Sequence, residues 1–384
     1  MSMHTGMCAG PVPRAIVATL PRYSRAAGLD TVRWVGSSNE SCTAPSPAAV
    51  AAMAAAAAGA NRYPGIAGDK LVAAIASGLD LDPGQIVVGG GSLALLGQVL
   101  DAYAPAGSTV VHAWRSYEAY PILIALAGSE SLPVPLDPAH RHDLDAMGKA
   151  VTGKTCMVLL CNPNNPTGTV LGNAELTAFL DRMPRHVLVV LDEAYREFAE
   201  NETDSRHLLE SHPNLVILRT FSKAYSLAGA RAGYLLTGMG IAANIRAVAP
   251  PFGLSSLAEA GAVAAWSDTA HLAATVSGVV AERAYLHEGL LARGLPVPPS
   301  GGNFLWIPAG PRSLELEAAC VARGVSVRAF PGSGVRVTIS VREASDAVLD
   351  AVDSLDPSLP GIPVLHSAAS SAETHHSTGG ASRP

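Results

Sequence analysis

Short apolar runs alternate with stretches of helical spacing through most of the chain. Five runs have strand length and are rich in Val, Ile and Leu: Gln85–Val88, Ser108–His112, Thr155–Cys161, His186–Leu191 and Leu215–Arg219. Helical patterning falls between and before them, over Ala48–Ala58, Ala67–Gly78, Ser92 to about Tyr103, Tyr117–Leu126 and Gly172–Asp181. Strands that take turns with helices in this way predict an α/β fold, a mostly parallel sheet with helices on both faces. After Trp266 the pattern changes. A long amphipathic stretch, Ala270–Arg293, leads to Asn303–Ile307, a helix over Leu314–Arg323 and strands at Ser326–Ala329 and Val335–Ile339. The expected organisation is therefore an N-terminal arm (1–45, with one short strand at Thr31–Val35), a large domain (46–266) and a smaller α+β domain (267–360). A low-complexity tail, 361–384, is expected to be disordered.

Composition narrows the class. Of 384 residues, 48% are hydrophobic and 15% charged, which describes a globular chain with a large core. A formal net charge of −6 supplies no attraction for nucleic acid or an anionic membrane. No apolar run has the length of a membrane span, and the first twenty residues lack the basic start and apolar core of a secretory signal. Cys8, Cys42, Cys156, Cys161 and Cys320 are odd in number and show no CxxC spacing. They read as ordinary thiols of a reducing cytoplasm and not as disulfides or a zinc site. The histidines at 140 and 142 and those of the tail lack companions at ligand spacing, so no metal site is expected.

Candidate chemistry collects at strand ends, where ligands of such sheets bind. Asn162–Gly168 follows one strand, Asp192–Tyr195 the next, and Ser222-Lys223 the third. The chain has four lysines, Lys70, Lys149, Lys154 and Lys223. Lys223 alone lies between apolar strands, where desolvation would free its amine as a nucleophile; a surface lysine closing a strand is the plainer reading. Asp192 follows an apolar run and needs either a cationic partner, such as a pyridinium nitrogen, or a helix to cap. Gly89-Gly90-Gly91-Ser92 joins a strand to a helix and suits a phosphate, or is a structural turn. Arg336 stands on an apolar strand, either in an ion pair or as a fork for a carboxylate.

Five motifs recur at family-like intervals: NRYP (61–64), WRSYEAYP (114–121), CNPNNPTG (161–168), LDEAYREF (191–198) and LRTFSKAYSLAGARAGY (218–234). With them the chain, over roughly residues 20–355, resembles the fold type I pyridoxal-phosphate aminotransferases, in the branch of histidinol-phosphate and aromatic amino-acid aminotransferases. The resemblance implies a seven-stranded, mostly parallel sheet and a smaller second domain. It implies that Lys223 forms the Schiff base with pyridoxal 5′-phosphate and shuttles the proton. Asp192 would hold the pyridine nitrogen protonated, Asn165 and Tyr195 would bind the ring oxygen, and Tyr117 would stack on the ring. Gly91, Ser92, Ser222 and Arg231 would form the phosphate cup, and Tyr63 would reach the partner subunit's cofactor in a homodimer. Arg336 would fork the substrate α-carboxylate.

Two departures lie near the mouth of the expected site. Asn39-Glu40 is kept but the usual following proline is missing, and three glycines precede Ser92 where relatives carry an acidic or small polar pair. WRSYEAYP and PPFGLSS (250–256) look closer to the aromatic amino-acid members of the family, so an aromatic amino acid is the expected donor and a 2-oxo acid the acceptor; two half-reactions through one lysine imply ping-pong kinetics. Histidinol phosphate is the alternative, its phosphate held by Tyr23, Arg328 and Arg336. The same cofactor also supports elimination or cyclisation in specialised metabolism, and a non-catalytic binding protein on this scaffold is the reading from another class.

Overall fold

The structure, a computed structural model, describes residues 11–20, 32–200 and 204–355. Elements follow in chain order as α1 (Ala15–Thr19), β1 (Trp34–Val35), α2 (Pro47–Ala57), α3 (Asp69–Leu79), β2 (Ile86–Gly89) and α4 (Ser92–Tyr103). Next come β3 (Thr109–Trp114), α5 (Ala119–Ala127), β4 (Glu130–Pro135), α6 (Leu144–Ala150), β5 (Thr155–Cys161), α7 (Asn173–Asp181) and β6 (Leu188–Asp192). They continue as β7 (Leu215–Thr220), β8 (Gly233–Thr237), α8 (Met239–Val248), α9 (Ser256–Ser267) and α10 (Thr269–Ala292). The chain closes with β9 (Phe304–Ile307), α11 (Ser313–Ala322), β10 (Val325–Ser326), β11 (Arg328–Phe330), β12 (Gly334–Thr338) and α12 (Arg342–Asp353).

A seven-stranded sheet in the order β2-β8-β7-β6-β5-β3-β4 forms the centre. Only β8 runs against the other six. Its inner strands are buried along their whole length, which is why they read as unbroken apolar runs. Alternate residues serve opposite faces: Val189 and Leu191 join one cluster with α7 and α9, while Leu188 and Val190 join another with α4, α5 and α8. By that parity Asp192, closing β6, belongs to the face covered by α4 and α5. Each fully buried Leu, Ile or Val there contributes roughly 1.5–3 kcal/mol.

A third cluster lies under α10, α11 and α12, over the antiparallel sheet β11-β12-β9. Residues 34–36 are hydrogen-bonded to this part of the chain. β1 pairs in parallel with β10, Gly36 N donates to Ser326 O at 3.0 Å, and Gly36 O accepts from Thr338 N at 3.2 Å.

Sequence reasoning needs correcting in four places. The helix expected from Tyr117 starts at Ala119, so Tyr117 sits in the preceding turn. The strand expected over Ser326–Ala329 is broken at Val327 into β10 and β11, which belong to different sheets. β4 carries Pro133 and Pro135, tolerated because it is the sheet edge, and those prolines hide it as a strand. Helices α1, α6, α8, α9 and α12 lie outside the helical patterning read from the sequence; α9, for instance, is alanine-rich and weakly patterned, and is set by its Ser255 cap and its packing on α2. Tyr23, Cys8 and the tail from 361 lie outside the described residues.

Candidate active site

Register brings the three polar strand ends together. Cys161 on β5 pairs with Asp192 on β6, which pairs with Leu218 on β7, so Asn162–Gly168, Asp192–Tyr195 and Ser222-Lys223 all leave the sheet at one edge. They line a cavity of about 260 Å³ shared with Ser92, Tyr117, Arg231 and Arg336, and with Ser38, Asn39 and Glu40 from the N-terminal segment.

Asp192 is buried and accepts two hydrogen bonds, from Tyr120 Oη to Oδ2 at 2.8 Å and from Ala194 N to Oδ1 at 3.2 Å. Burial pushes its carboxyl up to about 6, against the pull of those two donors. The capping alternative does not hold: no helix starts at Glu193, and the single 3₁₀ turn beyond it, Arg196–Phe198, has Tyr195 and not Asp192 at its N-cap position. Among the described residues Asp192 makes no ion pair. A desolvated carboxylate without a cation calls for one from a ligand.

Lys223 donates from Nζ to Ser38 O at 3.2 Å and Asn39 O at 3.0 Å, and lies 5.7 Å from the centre of the Tyr195 ring. Burial, then the Arg336 guanidinium, brings its amine down to about 7; Arg231 acts the same way, while Glu40 and Asp192 oppose. The surface-lysine reading is thereby overtaken. Tyr195 receives a hydrogen bond from Asn39 Nδ2 at 2.9 Å, and burial raises its phenol well above the usual range.

One end of the cavity is built for an anion. Ser92 opens the 12-residue α4 behind Gly91, whose φ of +97° suits glycine. A Cβ on Gly91 would sit 2.4 Å from Arg231 Nη2, so the guanidinium can approach only because that carbon is missing. Arg231 also donates to Ser222 Oγ at 3.2 Å, and Ser222 Oγ accepts from Thr220 Oγ1 at 3.0 Å. Two hydroxyls, a guanidinium and a helix N-terminus could together hold a phosphate.

At the other end Arg336 is buried, donating to Asn165 Oδ1 at 2.5 Å and Ser37 O at 2.6 Å. Arg328 is its cross-strand partner and is paired with Glu118 at 3.3 Å, outside the cavity lining. Tyr63 is 83% exposed, stacked on Phe252 at 4.7 Å, and does not enter this cavity. Two residues that sequence reasoning left without a role stand out. Asn39 links Tyr195, Thr338 and the lysine, and Tyr120 holds Asp192. Both lie inside quoted stretches, but the contact that reveals them spans 156 positions for Asn39 and 72 for Tyr120.

An amine brought down to about 7, a carboxylate without an ion pair among the described residues and a set of anion donors line one cavity, and their chemistry fits pyridoxal 5′-phosphate. Fold and cavity together define a pyridoxal-phosphate-dependent enzyme. Residues 37–352 match the family model of class I and II aminotransferases. The aromatic amino acid aminotransferase of Streptomyces coelicolor is 43% identical over 344 residues, covering 88% of this chain and 96% of that protein. That of Rhodococcus opacus is 44% identical over 81% of this chain and 87% of its own length. The histidinol-phosphate aminotransferase of Sinorhizobium meliloti, solved with pyridoxal-5′-phosphate, superposes with a TM-score of 0.82 at 29% identity, covering 90% of this chain and 98% of that one. This chain belongs to the class I and II aminotransferase family, and its cofactor is pyridoxal 5′-phosphate. Its substrates are small amino and 2-oxo acids. Among the described residues no helix is long and apolar enough to cross a membrane.

Proposed function

We propose that the enzyme transfers the amino group of an aromatic amino acid to a 2-oxo acid. The observation that carries the reaction is that Lys223, Asp192 and Arg336 face one cavity; the donor class is supported by the relatives at 43–44% identity. When bound, the cofactor supplies an aldehyde for amines and a ring that accepts the electron pair left when the Cα–H bond breaks. Lys223 Nζ, its amine brought down to about 7 by burial, acts as nucleophile and then carries the Cα proton. Asp192 holds a proton at the ring nitrogen. Tyr117 would lie against the ring face, and Asn165 and Tyr195 would take the ring oxygen. Gly91, Ser92, Ser222 and Arg231 hold the phosphate. Arg336 turns from Asn165 and Ser37 to fork the α-carboxylate. Because one lysine serves two half-reactions, the kinetics are ping-pong.

The active form in this reading is a cytoplasmic homodimer. Tyr63, Phe252 and the 71%-exposed Ile66 support an interface there, with Tyr63 reaching the partner's phosphate cup. The division into an arm, a large domain to about 266 and a small domain beyond is supported by the separate core under α10–α12. Histidinol phosphate is the second reading, favoured by the register that sets Arg328 beside Arg336.

Single half-reactions decide between the donors. Phenylalanine or tyrosine should discharge the visible band of the loaded enzyme faster than histidinol phosphate does. A faster reaction with histidinol phosphate selects the second reading, and no discharge by any amino donor refutes transamination.

A further inference from the structure

The family's usual assignments leave Tyr120 without a task, yet its placement is specific. It lies one helical turn beyond the cavity residue Tyr117, on α5, and α5 covers the sheet face to which strand parity directs Asp192. Its side chain is 1% exposed. Its ring meets those of Tyr117 at 5.6 Å and His112 at 6.3 Å, both edge-on, so the hydroxyl has little freedom to swing. That hydroxyl donates to Asp192 Oδ2 at 2.8 Å and is the one side-chain donor to this carboxylate among the described residues.

Resting on the reading that Asp192 faces the ring nitrogen, we propose that Tyr120 is a positioning residue for Asp192. Its O–H fixes the plane of the carboxylate and stabilises the ionised form, so that the proton shared with the cofactor stays on the ring nitrogen. Burial alone works the other way and favours a protonated carboxyl. Removing the phenol O–H would leave Ala194 N as the only hydrogen-bond donor to Asp192 among the described residues. The other ionisable groups around it are Cys161 on β5, Glu193 just beyond the end of β6, and Lys223 beyond β7, with Tyr195 near; none of them donates a hydrogen bond to it.

Tyr120→Phe keeps the ring packing and removes only the donor. Loaded with pyridoxal phosphate labelled with ¹⁵N in the ring, the variant should bind the cofactor about tenfold or more weakly, the usual effect of losing a hydrogen bond to a charged group. The ring nitrogen resonance should move toward its unprotonated position, while the melting temperature of the cofactor-free protein changes little. Asp192→Asn is measured beside it. If Asp192→Asn matches the wild type in affinity and resonance, the reading of Asp192 fails. If Asp192→Asn is impaired but Tyr120→Phe shows the wild-type resonance, at any affinity, Tyr120 serves only packing and the proposal is overturned.

Discussion

The amine of Lys223 is the most quantitative consequence of the cavity. An ordinary lysine titrates near 10.5; here burial and the cations of Arg336 and Arg231 bring it to about 7. At pH 7 the neutral fraction then rises from about one in three thousand to about one half, since each pH step below the midpoint costs a factor of ten. The assay is trace acetylation of the cofactor-free protein with acetic anhydride at a series of pH values, read by mass spectrometry of the peptide bearing Lys223. Labelling should reach half its plateau near pH 7. Replacing Arg336 by Met removes the larger of the two repelling cations and should move that midpoint upward. A labelling rate that climbs without a plateau past pH 9 in the wild type would refute the argument, because it would show that the carbonyls of Ser38 and Asn39 hold the ammonium form despite burial.

Three further outcomes follow from the geometry. Asp192 has a folded value of about 6 against an unfolded 3.8, so its protonated form stabilises the cofactor-free protein below pH 4 and that contribution, about 3 kcal/mol, is lost as pH rises to 6. Denaturant unfolding should therefore show wild type losing stability relative to Asp192→Asn as pH rises through that window; a difference independent of pH contradicts the burial. Gly91→Ala puts a Cβ against Arg231 at a φ of +97° and should weaken pyridoxal-phosphate binding at least about tenfold by equilibrium dialysis, while secondary structure by circular dichroism is kept. Arg219 is buried between Glu193 at 2.8 Å and Asp204 at 2.6 Å, so Arg219→Met should cost about 3 kcal/mol in urea unfolding, and a cost below about 1 kcal/mol would mean the pair adds little.

Much of this was legible in the sequence because parallel strands announce themselves. Leu188–Asp192 and Leu215–Thr220 are buried on both faces, and no other local structure demands so unbroken an apolar run followed at once by polar turn residues. The same property located Asp192 and Lys223, each the exception to its surroundings. Hidden features were those decided by partners remote in sequence. Pro133 and Pro135 disguise an edge strand, and Val327 gives no sign that the strand through it divides between two sheets. Arg219 reads as a polar strand end but is 1% exposed, neutralised by Glu193 and Asp204. Tyr120 and Asn39 are ordinary residues by composition, and only their distances to Asp192 and Tyr195 give them meaning.

The parallel pair β1–β10 has a mechanical implication. Residues 36–39 are held by β10 through Ser326 and by the small sheet through Thr338, yet the carbonyls of Ser38 and Asn39 accept from Lys223, which follows β7 of the large sheet. Arg336 rides on that same small sheet and grips Ser37. A rotation of one sheet relative to the other would act at once on the carbonyls that hold Lys223 and on Arg336.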